Sequence, residues 1–149
     1  MSDPLSKDTR FDLDKNALAD ILLKKGITHL YHANTVATSC TFITQGHLLS
    51  RKYVEDQNLF QTEQYSDEKD KRFAIWDGVF LDMIDIHKVF KRPNKYGPVL
   101  FCFDVNLLRS DLVETIRITK KNPVHWKDTE FPKDWYCLLY TSPSPRDRG

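Results

Sequence analysis

The segment LYHANTVATSCTFITQGHLLSR, residues 30–51, carries the strongest fold signal in this chain of 149 residues. Just before and into it, residues 27–32 alternate apolar and polar side chains and include β-branched and aromatic residues. That pattern predicts a β-strand ending at Tyr31 or His32. A histidine at the end of a strand is by itself more often a structural residue with satisfied hydrogen bonds than a ligand contact, so the surrounding pattern decides its interpretation.

Helix signals lie on both sides of this predicted strand. Residues 16–25 place apolar side chains on one face and are followed by Gly26, which favours a helix that ends there. After the strand, Asn34 or Thr35 can cap a second helix, and Gly46 marks its end. The apolar face of that second helix is predicted to consist of Val36, Cys40 and Ile43.

The rest of the chain adds shorter elements. Ser50 is placed to cap a short helix, and the polar stretch 58–72 predicts a loop. Residues 76–86 suggest a strand that begins at Val79 and turns into a helix, whereas the continuous apolar run 99–105 predicts a central buried strand. A further extended segment is expected over 113–119. Together these features predict an α+β fold with short helices around a split, twisted β-sheet.

Composition narrows the function classes. Lys plus Arg number 22 and Asp plus Glu 21, so the formal charge of +1 gives no bulk electrostatic reason to favour nucleic acid or an anionic membrane. Residues 1–15 are too polar for a signal peptide, and no apolar run approaches the roughly 18 residues of a membrane span. We therefore expect a cytoplasmic protein without a membrane partner, in which Cys40 and Cys102 are buried thiols.

The C-terminal stretch CLLYTSPSPRD, residues 137–147, resembles one translated frame of a common sequencing-library adapter. We therefore expect a single, incomplete domain over 1–136 and a non-native tail over 137–149. On this interpretation the last strands of the domain are missing, and the tail contributes no active-site residue.

A family resemblance can be stated on these residues. His32 follows two apolar strand residues, a hydroxyl residue follows at Thr35, and then come Ile43, Gly46 and the sequence Leu-Leu-Ser at 48–50. This order resembles the first NAD-binding motif of ADP-ribosyltransferases, and it is most similar to the DarT group of DNA-modifying toxins. Two later segments, 78–81 and 96–105, resemble the second and third core strands of the same fold.

The resemblance implies NAD as the substrate that donates ADP-ribose, and a nucleic-acid base or a protein side chain as the acceptor. It implies a ribose-binding role for His32, and a guanidinium such as Arg51 can grip phosphate oxygens in a bidentate fork. The implied partners are single-stranded DNA or another nucleic acid, and an antitoxin protein. The implied NAD-binding residues are Tyr31, His32, Ala33, Asn34, Thr35, Ser50 and Arg51.

Two positions depart from the family pattern. Ala33 stands where the related polymerases have a glycine directly after the histidine. The catalytic glutamate of the family lies on a later strand, and no segment before Tyr136 matches that strand. Glu114 is the one candidate in an extended segment, and a glutamate lost with the missing strands is the more economical interpretation.

Other interpretations remain open. His32 can be an ordinary strand-end histidine, and Arg51 a solvated helix residue. A noncatalytic module of the same fold could bind nucleic acid or a partner through basic and aromatic residues, and a metal-dependent nuclease could use two carboxylates and an imidazole at close spacing. The basic and aromatic residues of the binding module are Lys88, Lys91, Arg92, Lys95 and Tyr96. The candidate metal ligands of the nuclease are Asp82, Asp85 and His87.

Overall fold

The computed structural model describes residues 9–64, 66–89 and 97–139. The chain divides into two compact units, a first unit of Met1–Gly26 with Asn106–Gly149 and a second unit of Ile27–Val105. In chain order the elements are α1 Lys15–Lys24, β1 His29–Asn34, α2 Val36–Gln45, α3 Arg51–Asp56, α4 Asp67–Arg72, α5 Ile86–Val89, β2 Val99–Asp104, two 3₁₀ helices Val105–Arg109 and Pro123–His125, and α6 Pro132–Trp135. This mixture of helix and strand agrees with the predicted α+β class.

The second unit is built on the pairing of β1 with β2. The two strands are antiparallel, and His32 lies opposite Phe101. On the other side of β1, Tyr31 exchanges both of its main-chain hydrogen bonds with Asp82, at 2.8 and 2.7 Å. Strand β1 therefore lies between β2 and a single bridging residue of the segment before α5.

The first unit contains α1 and an aromatic cluster. Asp14 caps α1 by accepting a hydrogen bond from the main-chain N–H of Ala17, and Gly26 follows the helix with a positive φ of 83°. The helix predicted over 16–25 is thus confirmed within one residue. In the cluster, the rings of Trp126 and Trp135 stack with centroids 4.4 Å apart and planes 8° apart.

Helix α2 begins and ends where the sequence predicts. Thr35 caps it by accepting from the main-chain N–H of Thr38, and Gly46 ends it in the left-handed conformation. The prediction of its buried face is wrong, because Cys40 is exposed and Val36 and Ile43 are 57% and 67% exposed. The buried face consists of Thr38, Ser39 and Phe42.

A hydrogen bond from a distant segment accounts for the burial of Thr38, whereas the hydroxyl of Ser39 on the same face is buried without a hydrogen-bond partner among the described residues. The main-chain N–H of Thr62 donates to the Thr38 hydroxyl at 2.9 Å, so this buried hydroxyl has a partner. A buried polar group with a partner avoids the desolvation penalty that would otherwise expel it. Periodicity within the helix carries no information about that partner.

Several strand boundaries also differ from the prediction. Strand β1 continues to Asn34, so His32 lies inside the strand and not at its end. Strand β2 is confirmed over Val99–Asp104, but its residues are half-buried or exposed and not fully buried. Cys102 is exposed, as is Cys40, so the prediction of two buried thiols is wrong.

The remaining segments depart in smaller ways. The predicted loop over 58–72 contains α4, which has acidic residues in its first turn and basic residues in its last, the order that the helix dipole favours. Within 76–86 only Asp82 forms a bridge, and within 113–119 only Thr119 does, with Tyr136. At the start of the predicted tail, the main-chain N–H of Cys137 donates to the carbonyl of Ile118 at 2.9 Å, whereas 140–149 lie outside the described residues.

No helix in the described ranges is long and apolar enough to cross a membrane.

Candidate functional site around His32

The ring of His32 is fixed by a hydrogen bond to the main chain. Its Nδ1 lies 2.8 Å from the carbonyl oxygen of Phe80. Because a carbonyl oxygen can only accept, Nδ1 must carry the proton in this bond. In the neutral ring the other nitrogen, Nε2, is then an acceptor.

Asn34 leads independently to the same assignment. Its Oδ1 accepts from the main-chain N–H of Thr35 at 2.8 Å, which orients the amide and directs Nδ2 to His32. Nδ2 lies 3.1 Å from Nε2 of His32 and can only donate there. Asn34 is 3% exposed, so its amide is held in this orientation by buried surroundings.

Burial also sets the protonation of His32. Burial lowers the pKa of His32, and the bond to Phe80 and the charge of Asp82 offset part of that effect. The ring is therefore neutral at pH 7, since its ordinary pKa of 6.5 is already below that value. Partial desolvation raises the pKa of the Asp82 carboxyl, and the charge that His32 carries when it is protonated lowers that pKa. The site thus offers a neutral imidazole with a defined acceptor nitrogen and a nearby carboxyl group.

Threonine hydroxyls hold the chain that follows His32. The Thr35 hydroxyl lies 3.1 Å from the hydroxyl of Thr38 and 2.9 Å from that of Thr62. Together with the bond from the Thr62 main chain to Thr38, these contacts tie the start of α2 to residue 62. The sequence predicted Asn34 or Thr35 as a cap, but nothing in the local pattern predicts the contact with Thr62.

Gly97 packs directly against the end of β1. Its φ is +95°, and a Cβ atom there would lie 2.1 Å from the carbonyl carbon of Asn34. Only glycine allows such a close approach. The Gly97 carbonyl also accepts from Nε2 of His87 at 2.9 Å. The signal for this contact in the sequence is the glycine and proline pair at 97–98, which directly precedes β2.

An aromatic groove begins beside His32. The ring centroid of His32 lies 5.8 Å from that of Phe42 and 6.3 Å from that of Phe101, and these two phenylalanines are 5.9 Å apart. Both phenylalanines line a cavity of about 260 Å³ between α2 and the sheet. We call it the aromatic groove; its lining is Phe42, Ile43, Gly46, His47, Leu48, Phe101 and Phe103. The sequence analysis did not foresee it.

Arg51 is held by residues of its own unit. Its guanidinium forms a two-point ion pair with Asp67, at 2.8 and 2.9 Å, and donates to the carbonyl of Thr62 at 2.7 Å. The side chain is 12% exposed, and its Nη1 is buried without a hydrogen-bond partner in the described structure. A phosphate contact of the kind predicted from the sequence would have to compete with Asp67 for this guanidinium.

The other predicted NAD-site residues lie nearby in the chain with different surroundings. Ser50 caps α3 by accepting from the main-chain N–H of Tyr53. Tyr31 and Ala33 alternate with His32 along β1, so their side chains project from the opposite face of the strand. Glu114 is exposed and belongs to the first unit, whereas His32 belongs to the second.

The structure describes only part of the residues named for the two alternative functions. Lys88 is exposed on α5, and Lys91, Arg92, Lys95 and Tyr96 lie outside the described residues. Within the described ranges, no group of three or more His, Cys, Asp or Glu side chains could hold a metal ion, so Asp82, Asp85 and His87 do not form such a group. The metal-dependent nuclease therefore has no support from this geometry.

Comparison with known proteins gives no match: no protein-family model, no curated protein and no solved structure matches this chain. The function is therefore argued from the site itself together with the sequence motif.

Proposed function

We propose that the second unit binds NAD beside His32, as the donor-binding part of an ADP-ribosyltransferase with an α+β core of the family type. The observation that carries this proposal is the neutral imidazole of His32, whose Nδ1 is bound to Phe80 and whose Nε2 is left as an acceptor. A ribose hydroxyl is a donor that needs such an acceptor.

Asn34 makes the exchange of partners at Nε2 favourable. Its amide now donates to Nε2 at 3.1 Å. A ribose hydroxyl that donates to Nε2 would take the place of this amide, and it can accept from the amide once Nδ2 has moved away from Nε2. Because every group keeps a partner, binding leaves no buried polar atom unsatisfied.

The aromatic groove supports a planar ring next to the ribose. Its volume of about 260 Å³ is below the roughly 300–1,000 Å³ of sites that enclose drug-sized ligands, so it suits one ring of the dinucleotide and not the whole molecule. Phe42 and Phe101 can pack against such a ring in an edge or offset arrangement.

The chemistry required of these residues is positioning and electrostatic stabilisation. Cleavage of the nicotinamide bond passes through an oxocarbenium-like state, so the ribose must be held and developing positive charge must be stabilised. His32 and Asn34 would hold the ribose. Asp82 has the carboxyl group that interacts electrostatically with His32 in the second unit, and it is a candidate for charge stabilisation.

The test is NAD binding by the full chain, measured by calorimetry, followed by nicotinamide release with single-stranded DNA present. The variant His32→Ala is expected to weaken NAD binding at least tenfold, about 1.4 kcal/mol, because it removes the acceptor at the ribose. His29→Ala is the matched control, since His29 lies on the same strand but on its opposite face and is exposed.

Circular dichroism of both variants confirms that the fold is retained. Equal NAD affinity of wild type and His32→Ala would refute the proposed site. A folded chain that binds nucleic acid and ignores NAD would instead favour the noncatalytic module that uses Lys88 and the basic residues after it.

A further inference from the structure

Strand β2 has a pairing partner on one side only. In the sheet as described, β1 lies beside it, and no other strand pairs with its opposite edge. An unpaired edge presents main-chain N–H and C=O groups that can pair with another extended chain.

The hydrogen-bonding pattern identifies the residues that present those groups. Tyr31 uses its main-chain N–H and C=O for Asp82, so these groups point away from β2, and Tyr31 and Cys102 form a non-hydrogen-bonded pair. The main-chain N–H of Val105 donates to the carbonyl of Thr28, so the main-chain groups of Val105 point towards the first strand of the pair. Hydrogen-bonded and non-hydrogen-bonded pairs alternate along an antiparallel ladder. The main-chain N–H and C=O groups of Phe101 and Phe103 therefore point towards β1. Leu100 and Cys102 therefore direct their main-chain groups to the open edge.

The central part of this edge, between Pro98 and Asp104, lacks the residues that usually protect strand edges. Residues 99–103, VLFCF, include no charge and no proline, and the side chain of Cys102 is exposed. Natural edge strands are usually protected by lysine, proline, a bulge or a covering element. The sequence of β2 combines β-branched, aromatic and apolar residues, which favours strand pairing.

We propose that a second copy of this chain pairs with β2 edge to edge, as an antiparallel two-fold dimer centred on Phe101. This inference does not rest on the proposed NAD site, although Phe101 also lines the aromatic groove. In this register Leu100 pairs with Cys102 of the second copy, and the symmetric pair forms on the other side of the axis. The two pairs supply four main-chain hydrogen bonds between the chains.

Charge and symmetry favour a second copy over an unrelated strand. An antiparallel two-fold axis makes each edge complementary to itself, because each donor of Leu100 meets an acceptor of Cys102 and the reverse. The register centred on Phe101 places Asp104 opposite Pro98 of the second copy, so no two carboxylates face each other. Like charges directly opposite would have opposed the pairing.

Sedimentation equilibrium of the full chain under reducing conditions tests the dimer. Wild type and Cys102→Ser are expected to show twice the chain mass at micromolar concentrations. Cys102→Pro is expected to show the monomer mass, because proline removes the outward N–H and with it two of the four bonds, while the bonds to β1 remain. A wild-type monomer at about 100 μM, or a Cys102→Pro dimer of unchanged affinity, would overturn the proposal.

A cross-link tests the register even if the proline variant fails to fold. With Cys40 and Cys137 replaced by serine, Leu100→Cys places the new thiol opposite Cys102 of the second copy. Paired residues of this type have Cα atoms about 5.5 Å apart, which a disulfide can span. Mild oxidation is expected to give a covalent dimer, and adding Cys102→Ser is expected to abolish it. No cross-link in the first variant, or an undiminished one in the second, would contradict the register.

Discussion

Asp70 is a buried carboxyl group whose replacement by asparagine is expected to stabilise the second unit at neutral pH. The residue is 6% exposed and lies in the first turn of α4. Burial raises its pKa from 3.8 to about 6, and the charge of Asp67 adds to this, while the bond from the Ser66 hydroxyl and the charge of Arg51 oppose it. Above pH 6 the folded chain therefore holds a buried carboxylate that the unfolded chain exposes to water.

The size of the effect follows from the two pKa values. A folded pKa of about 6 against 3.8 in the unfolded state costs about 3 kcal/mol at pH 8, at 1.36 kcal/mol for each unit. Because the folded pKa is the higher one, this cost is absent below pH 3.8 and grows as the pH rises through 6. At pH 4.5, where the unfolded chain is mostly ionised and the folded chain is not, the same two pKa values give a cost of about 1 kcal/mol. The variant also loses a favourable charge near the helix N-terminus, worth about 0.3–1 kcal/mol.

We therefore expect Asp70→Asn to raise the free energy of unfolding by about 1–3 kcal/mol at pH 8 and by much less at pH 4.5. Urea unfolding followed by circular dichroism at both pH values measures this difference. Glu68→Gln is the control, because Glu68 is an exposed acid in the same helical turn. It is expected to change stability by no more than about 0.5 kcal/mol at either pH. A gain that is the same at both pH values, or a loss at pH 8, would refute the reasoning.

Two further substitutions test contacts that support the candidate site. Gly97→Ala is expected to lower the free energy of unfolding by at least about 2 kcal/mol more than Gly26→Ala does, roughly the strain of a forced main-chain contact. Both glycines have positive φ, but only at Gly97 would a Cβ meet main-chain atoms. Similar losses of stability for the two variants in urea unfolding would contradict this. Asp67→Asn is expected to cost about 2–4 kcal/mol by leaving the Arg51 guanidinium buried and unpaired. Asp56→Asn, which breaks an ion pair that is half exposed, is expected to cost about 0.5 kcal/mol, and equal losses for the two would contradict this reasoning.

The sequence predicted those features of the fold that depend on neighbouring residues. The caps at Thr35 and Ser50 and the helix ends at Gly26 and Gly46 were all foreseen, because each needs only a side chain or a φ value within one turn. Strand β2 was foreseen because its apolar run has no competing helical period.

Features that depend on distant partners were not foreseen. Helix α2 buries Thr38 because the main chain of Thr62 donates to it, and no pattern within α2 records that donor. Helix α4 was predicted as a loop, although Asp67 at its start pairs with Arg51 sixteen residues earlier. Hydrophobic periodicity does not register hydrogen bonds and ion pairs across such separations.

The candidate site also combines a feature that neighbouring residues predict with features that depend on distant residues. His32 was selected from a local motif, and the structure adds the two bonds that define its tautomer, one of them to Phe80, which is 48 residues away. The aromatic groove needs Phe42 from a helix and Phe101 from a strand that are far apart in sequence. Predicting it would have required the register of β1 and β2 in advance.

The stacked indoles of Trp126 and Trp135 give the first unit an optical signal of its own. At a centroid separation of 4.4 Å the excited states of the two indoles couple, so their far-ultraviolet absorption differs from that of an isolated indole. Trp76 belongs to the second unit and sits beside the cations of Arg51 and Lys71, so it has a different electronic environment. Loss of this coupling during unfolding would therefore report on the first unit, whereas a change in the signal of Trp76 would report on the second.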